Sequence, residues 1–178
     1  MQKAGGNVRR NNTGDMRRKD REITDVGELL AIINRCKVCR LGLCDDSQPY
    51  VVPLNFGYVF YNECLTLYFH GAHEGRKIDM IRKNNKACFE IDCDHQLVTA
   101  EKACNYSYTF SSIIGFGTIE FINEIDEKKY ALNILMKHQI GNKILSGFEE
   151  PELNSVTLYK MKIDSFTGKQ KTPEPSAQ

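Results

Sequence analysis

Apolar and polar residues alternate with a two-residue period through most of the chain and switch to a helical period in three places. Asp25 to Glu28 has the form of a capping box ahead of Val26, Leu29, Leu30, Ile32 and Ile33, so a short helix starts there. Val38 to Cys44 reads as a strand, Asp45-Asp46-Ser47-Gln48 as a turn, and Tyr50 to Tyr58 as the returning strand. Pro53 cannot donate to a ladder, which puts it at an edge or an irregularity. A turn at Tyr61-Asn62-Glu63 leads into a strand over Cys64 to His70. Ile78 and Ile81 mark a short amphipathic helix that ends near Asn84-Asn85. Ala87 to Asp92 is a strand, and Tyr106 to Ile122 is a long one, with a bend or bulge at Gly115 and Gly117. Asp126 to Gln139 is helical, with Tyr130, Ile134 and Leu135 on one face, and Ser155 to Ile163 is the last strand. About six strands, mostly joined by tight turns and with three inserted helices, predict an antiparallel barrel. Alternating βαβ units and a GxGxxG are missing, which excludes a Rossmann fold.

The ends differ from this pattern. Residues 1–15 are polar, rich in Asn, Gly and Arg, and are expected to be a disordered extension ahead of Met16. Residues 16–170 form one domain, and 171–178 are expected to be a flexible tail. The chain has 178 residues, 41% of them hydrophobic, enough for one domain with a real core. A net charge of +1 gives no electrostatic case for nucleic-acid binding. No apolar run reaches the roughly 20 residues of a membrane helix, and no signal-peptide core is present, so a cytoplasmic protein without membrane contact is expected.

Candidate chemistry concentrates in Leu67-Tyr-Phe-His-Gly-Ala-His-Glu-Gly-Arg-Lys-Ile-Asp79. An apolar strand breaks at Gly71, and a helix begins at Gly75 with Arg76 and Lys77 in its first turn. Unpaired N–H groups and the dipole at a helix start favour an anion, and two cations there suit a phosphate monoester. The alternative is a solvated basic helix start that binds nothing. Seven cysteines in a chain without a signal sequence argue against a disulfide framework. Cys36 and Cys39 form a CxxC with no second half, so no metal site is expected, and Cys44, Cys64, Cys88, Cys93 and Cys104 read as reduced thiols. His95 and His138 have no paired ligand and read as surface residues, and His73 as structural or solvent-facing.

The order of segments resembles the pyridoxamine 5′-phosphate oxidase-like, FMN-binding split-barrel superfamily, and within it the nitroimidazole-resistance branch. The matching stretches are Met-Arg-Arg-Lys-Asp-Arg-Glu-Ile at 16–23, Pro-Tyr-Val-Val-Pro-Leu-Asn-Phe-Gly-Tyr at 49–58 and the 67–79 segment. Ala-Cys-Phe-Glu at 87–90, Tyr-Ser-Tyr-Thr-Phe-Ser-Ser-Ile-Ile-Gly-Phe-Gly at 106–117 and Phe-Thr-Gly-Lys at 166–169 follow, collinear over about residues 16–170.

This resemblance implies a mainly β fold with inserted helices, a six-stranded antiparallel split β-barrel. It implies a homodimer with FMN at the subunit interface and a small electron-poor acceptor such as a nitro compound. The strand at Val52, Pro53, Leu54 and Asn55 is expected beside the flavin ring. Phe69, His70, Gly71, Ala72, Gly75, Arg76 and Lys77 are expected at the ribityl chain and phosphate, with backbone N–H groups replacing the hydroxyl that the oxidases carry there. Ser111, Ser112 and the Thr167-Gly168-Lys169 corner are expected to close the site from the partner subunit. His70 is the candidate catalytic group, placed to donate a hydrogen bond or shuttle a proton, with a packed side chain as the alternative. Two other classes remain: a flavin-binding module without turnover, and a haem-binding split barrel with His70 or His73 as axial ligand.

Overall fold

The computed structural model describes residues 16–45, 47–141 and 147–172. The expected extension at 1–15 and most of the expected tail lie outside the described residues. Helix α1 (Val26–Arg35) begins where Asp25 accepts a hydrogen bond from the Glu28 N–H at 2.9 Å, and it turns Leu29, Ile32 and Ile33 inward. The strands are β1 (Glu22–Ile23), β2 (Val38–Asp45), β3 (Gln48–Asn55), β4 (Gly57–Tyr61), β5 (Cys64–Gly71), β6 (Lys86–Val98), β7 (Ser107–Ile122) and β8 (Thr157–Lys171). Helices α2 (Arg76–Lys83), α3 (Ile125–Ile140) and α4 (Glu150–Asn154) complete the fold.

The strands form one sheet in the order β3-β2-β6-β7-β8-β5-β4, with β1 on β8 and every pairing antiparallel. The two ends of that path, β3 and β4, are separated in the chain by Phe56 alone. A sheet whose first and last strands are one residue apart must curl round on itself, and this makes the barrel. Leu41, Phe69, Phe89, Ile113, Tyr159 and Met161 fill its interior. A second cluster, including Tyr68, Ile122, Ala131, Leu132, Leu153 and Leu158, lies under α3 and α4.

Several expected elements change their bounds. The strand read over 50–58 is broken at Phe56, whose side chain is fully buried and whose carbonyl accepts from Gln139 Nε2 of α3 at 2.8 Å. Gly57 then passes so close to α3 that a Cβ there would stand 2.6 Å from the Leu135 Cα. That split, together with the two-residue β1, turns six expected strands into eight. Pro53 does lie on an edge strand, paired with β2 only. The expected irregularity near Gly115 and Gly117 is a register shift between Phe116 and Gly117. Strand β8 runs on to Lys171, so the expected Thr167-Gly168-Lys169 corner is an extended strand, held between β7 and β1. The buried face of α3 is Ala131, Leu132, Leu135 and His138, whereas Tyr130 is 48% exposed and meets Tyr68 edge-on.

His138, read as a surface residue, is buried. Its Nε2 donates to the Cys36 carbonyl at 2.8 Å, and its ring packs on Phe56 and Tyr58 at 4.7 and 5.3 Å between centroids. Its partner is a backbone oxygen far away in sequence, which no local ligand spacing reveals. Burial holds the imidazole below its ordinary 6.5, outweighing the bond to Cys36, and the Lys37 charge adds to the lowering. An imidazole with a lowered folded-state pKa takes up protons more readily in the unfolded chain. Its stabilising effect is therefore present above 6.5 and lost as the pH falls through the lowered value. The melting temperature is expected to drop between about pH 8 and about pH 5, and His138→Gln, which keeps a donor for Cys36, to reduce that drop. An unchanged pH slope in the variant refutes this role for His138.

Candidate functional site

Strand β5 ends at Gly71, and residues 72–75 cross to the start of α2. Gly75 is the N-cap, with φ +123°, a conformation that L side chains rarely adopt, and nothing stands within 4 Å of where its Cβ would be. Its carbonyl accepts from the N–H groups of Ile78 at 2.9 Å and Asp79 at 3.1 Å. The N–H groups of Arg76 and Lys77 come earlier in the turn, and no side chain caps the helix. A helix start with free donors, an uncovered glycine and two cations can hold an anion.

Neither cation forms an ion pair among the described residues. The Arg76 guanidinium lies 4.8 Å over the ring of Tyr50, which faces inward on β3 with Val52 and Leu54. The Lys77 ammonium folds back on Gly71, 2.8 Å from the position of a Cβ there. Burial alone lowers its pKa. His70 is half-buried beside it, held below the ordinary imidazole range by burial first and by the Lys77 charge second. Its Nδ1 is sealed from solvent with no hydrogen-bond partner among the described residues.

The expected residues thus fall into two groups. Phe69, His70, Gly71, Ala72, Gly75, Arg76 and Lys77 lie along β5, its following loop and the first turn of α2, and Tyr50 ties β3 to them. Of the β3 residues, Val52 and Leu54 are half-buried, whereas Pro53 and Asn55 face outward. The Asn55 amide already donates to the Lys37 carbonyl at 3.1 Å and to Gln139 Oε1 at 3.3 Å. Ser111, Ser112 and Lys169 are elsewhere. Ser112 sits opposite Lys169 on β8, and His70 sits opposite Leu158 of the same strand. That is a separation of about 11 residues, or about 35 Å along a straight strand. One protomer does not bring the two groups together.

Both ring nitrogens of His73 are engaged, Nδ1 with Thr157 Oγ1 and Nε2 with the Asn154 carbonyl, each at 2.9 Å. All seven cysteines are free thiols, and burial pushes Cys36 up to about 12. Among the described residues no group of three or more His, Cys, Asp or Glu is placed to hold a metal ion, and no helix is long and apolar enough to cross a membrane. Sequence reasoning missed Tyr50, although its alternation with Val52 and Leu54 already put it on the inner face. It also missed Asn154 and Thr157, for which no local signal exists.

Residues 25–170 match the family model described as pyridoxamine 5′-phosphate oxidase. The chain belongs to that family. A search of curated proteins finds no significant match. Among solved structures, a protein of Bacteroides thetaiotaomicron VPI-5482 named for 5-nitroimidazole antibiotic resistance is 37% identical, over 84% of this chain and 86% of that one, with a TM-score of 0.72. An FAD and haem binding protein from Mycobacterium smegmatis is 21% identical, over 89% of this chain and 77% of that one, at a TM-score of 0.77. A flavocytochrome from Azotobacter vinelandii is also 21% identical, over 92% and 75%, at 0.74. These last two share the fold of the pyridoxamine 5′-phosphate oxidase family. The expected family and split-barrel fold are therefore borne out, with a nitroimidazole-resistance relative among the matches.

The packing of Lys77 on Gly71 gives a direct test of the anion site. In Gly71→Ala the added methyl is expected to push the ammonium aside while leaving the fold intact, because the displaced group is the end of a flexible side chain. Inorganic phosphate should raise the melting temperature of the wild type and raise that of Gly71→Ala less. An equal rise in both proteins would separate Lys77 from anion binding.

Proposed function

We propose that this protein binds FMN in a site completed by a second copy and acts as an oxidoreductase on a small, electron-poor acceptor such as a nitro compound. The observation that carries this reading is the start of α2, where Arg76, Lys77 and uncapped N–H groups meet with no carboxylate among the described residues to neutralise them. A half-buried ammonium without a counter-charge is costly unless an anion completes it. The residues fit the monoester phosphate of FMN, with the Gly75 backbone and the two side chains as its holders. The flavin names of two structural neighbours and the nitroimidazole name of the 37% identical relative point the same way.

When bound, flavin supplies hydride and single-electron chemistry, and the protein supplies binding, orientation and electrostatics. Here the inner residues Val52 and Leu54 would border the ring, and Phe69 to Ala72 the ribityl chain. Burial and the Lys77 charge favour the neutral form of His70, which would offer a hydrogen bond to the flavin or acceptor or shuttle a proton. A haem reading gains nothing from His73, whose two ring nitrogens are already engaged.

The second copy is proposed from the outer face of the sheet. Val51, Gly42, Cys88 and Phe116 lie in one row across β3, β2, β6 and β7. Gly42 leaves a low floor in that row, and a cleft of about 480 Å³ opens there. Val51 is 63% exposed and Phe116 43%, an apolar surface that a second copy would cover. Such a copy would also offer its Ser111, Ser112 and Lys169 to the first protomer's α2.

Fluorescence titration with FMN and riboflavin tests the phosphate reading. Replacing Arg76 and Lys77 by Ala should weaken FMN at least about tenfold and riboflavin little, because riboflavin carries no phosphate. In the same experiment His70→Ala should keep FMN and lose acceptor reduction. Equal losses for both ligands in the double variant would end the phosphate reading. Light scattering over a concentration series tests assembly. FMN should shift the protein toward the dimer by mass action, and Phe116→Glu should shift it toward the monomer. A monomer that binds FMN at full affinity would refute the shared site.

A further inference from the structure

We infer that His73 is a positioning residue that latches the loop at 72–75 onto the α4–β8 junction and so holds the anion-binding start of α2 in its binding conformation. The inference rests on the phosphate reading above and concerns a residue outside the anion contacts. The backbone ladder between β5 and β8 ends at Gly71 opposite Thr157. Beyond that point the loop carries a glycine at each end, Gly71 and Gly75, so the backbone alone restricts it weakly. The His73 side chain continues the pairing where the ladder stops. Its Nδ1 lies 2.9 Å from the hydroxyl of Thr157, the same residue that pairs with Gly71.

The second bond fixes the tautomer. Asn154 is the last residue of α4, and its carbonyl is among those a helix end leaves without an internal partner. A carbonyl only accepts, so Nε2 carries the hydrogen and donates at 2.9 Å, and Nδ1 accepts from the Thr157 hydroxyl. One imidazole thus satisfies an orphan helix carbonyl and a strand hydroxyl, and it orders the loop as it does so. Asn154 is itself gripped from α3, where Lys128 Nζ donates to its Oδ1 at 3.3 Å. A chain of contacts therefore runs from α3 through Asn154 and His73 to Gly75 and the first turn of α2.

The test uses the full chain with His73→Ala, His73→Gln and Thr157→Val. Hydrogen exchange of the flavin-free protein reads the latch by itself: amides of 71–77 should exchange faster in His73→Ala than in wild type. Titration then reads the consequence. FMN affinity should fall about tenfold in His73→Ala and less in Thr157→Val, which loses one bond of two. His73→Gln, which keeps a donor for the Asn154 carbonyl, should recover most of the loss. Riboflavin affinity should move little throughout, whereas a merely destabilised fold would weaken both ligands alike. Unchanged exchange at 71–77 in His73→Ala would overturn the latch whatever the flavin does. Faster exchange with unchanged FMN affinity would overturn the positioning role. Failure of the wild type to bind FMN would overturn the cofactor reading and this inference with it.

Discussion

The architecture depends on one joint. Phe56 is the only residue between the strands at the two ends of the sheet, and its burial forces those ends together. The joint breaks the ladder, so its backbone needs other partners. Gln139 supplies one by donating to the Phe56 carbonyl and also to the Lys37 carbonyl, at 2.8 and 3.1 Å. His138 lies on the Phe56 ring, and Lys37 Nζ donates to the His138 carbonyl at 2.5 Å. The end of α3 is therefore a clasp over the seam of the barrel, and Gly57 is the residue small enough to pass beneath it.

The same closure creates the electrostatic character of the site. Curling the sheet brings Tyr50 of β3 under Arg76 of α2, the helix that follows β5, although β3 and β5 are far apart on the sheet path. Lys77 and His70 then share a partly dry corner in which burial disfavours both charges and the Lys77 charge further disfavours that of His70. Some cations elsewhere are paired: Arg40 with Glu90 and Asp92, Lys160 with Glu120 and Glu127, Arg35 with Asp94. Arg76 and Lys77 have no such partner among the described residues, and what sets them apart is their place at an uncapped helix start.

What the sequence showed and what it hid divide along a physical line. The strand, the glycine break and the basic helix start at 67–79 are local, and they appear where the pattern puts them. Pro53 on an edge and the irregularity near Gly117 follow from single-residue backbone chemistry, and both hold. The features that were misjudged depend on distant partners. Nothing near His138 indicates that its acceptor is Cys36, and nothing near Phe56 indicates that Gln139 will satisfy its carbonyl. The long continuation of β8 is set by β7 and β1 on either side of it, not by its own mixed composition. The short helix α4 was missed because its signal is a capping box built by Glu149 and Glu152 around a proline, without an apolar stripe.

The position of β8 in the sheet bears on how the chain reaches this state during synthesis. Among the described residues it is the last strand in the chain, yet it lies between β7 and β5 and also carries β1. A nascent chain that has not yet released residues 157–171 holds two half-sheets, each with an unpaired edge along β7 or β5. Open edges of that kind pair readily with other chains. The barrel interior cannot close before β8 is available, because Tyr159 and Met161 of that strand fill its middle. Closure of the barrel therefore waits on β8, and in a crowded cell the interval before β8 docks leaves the edges of β7 and β5 open to other chains.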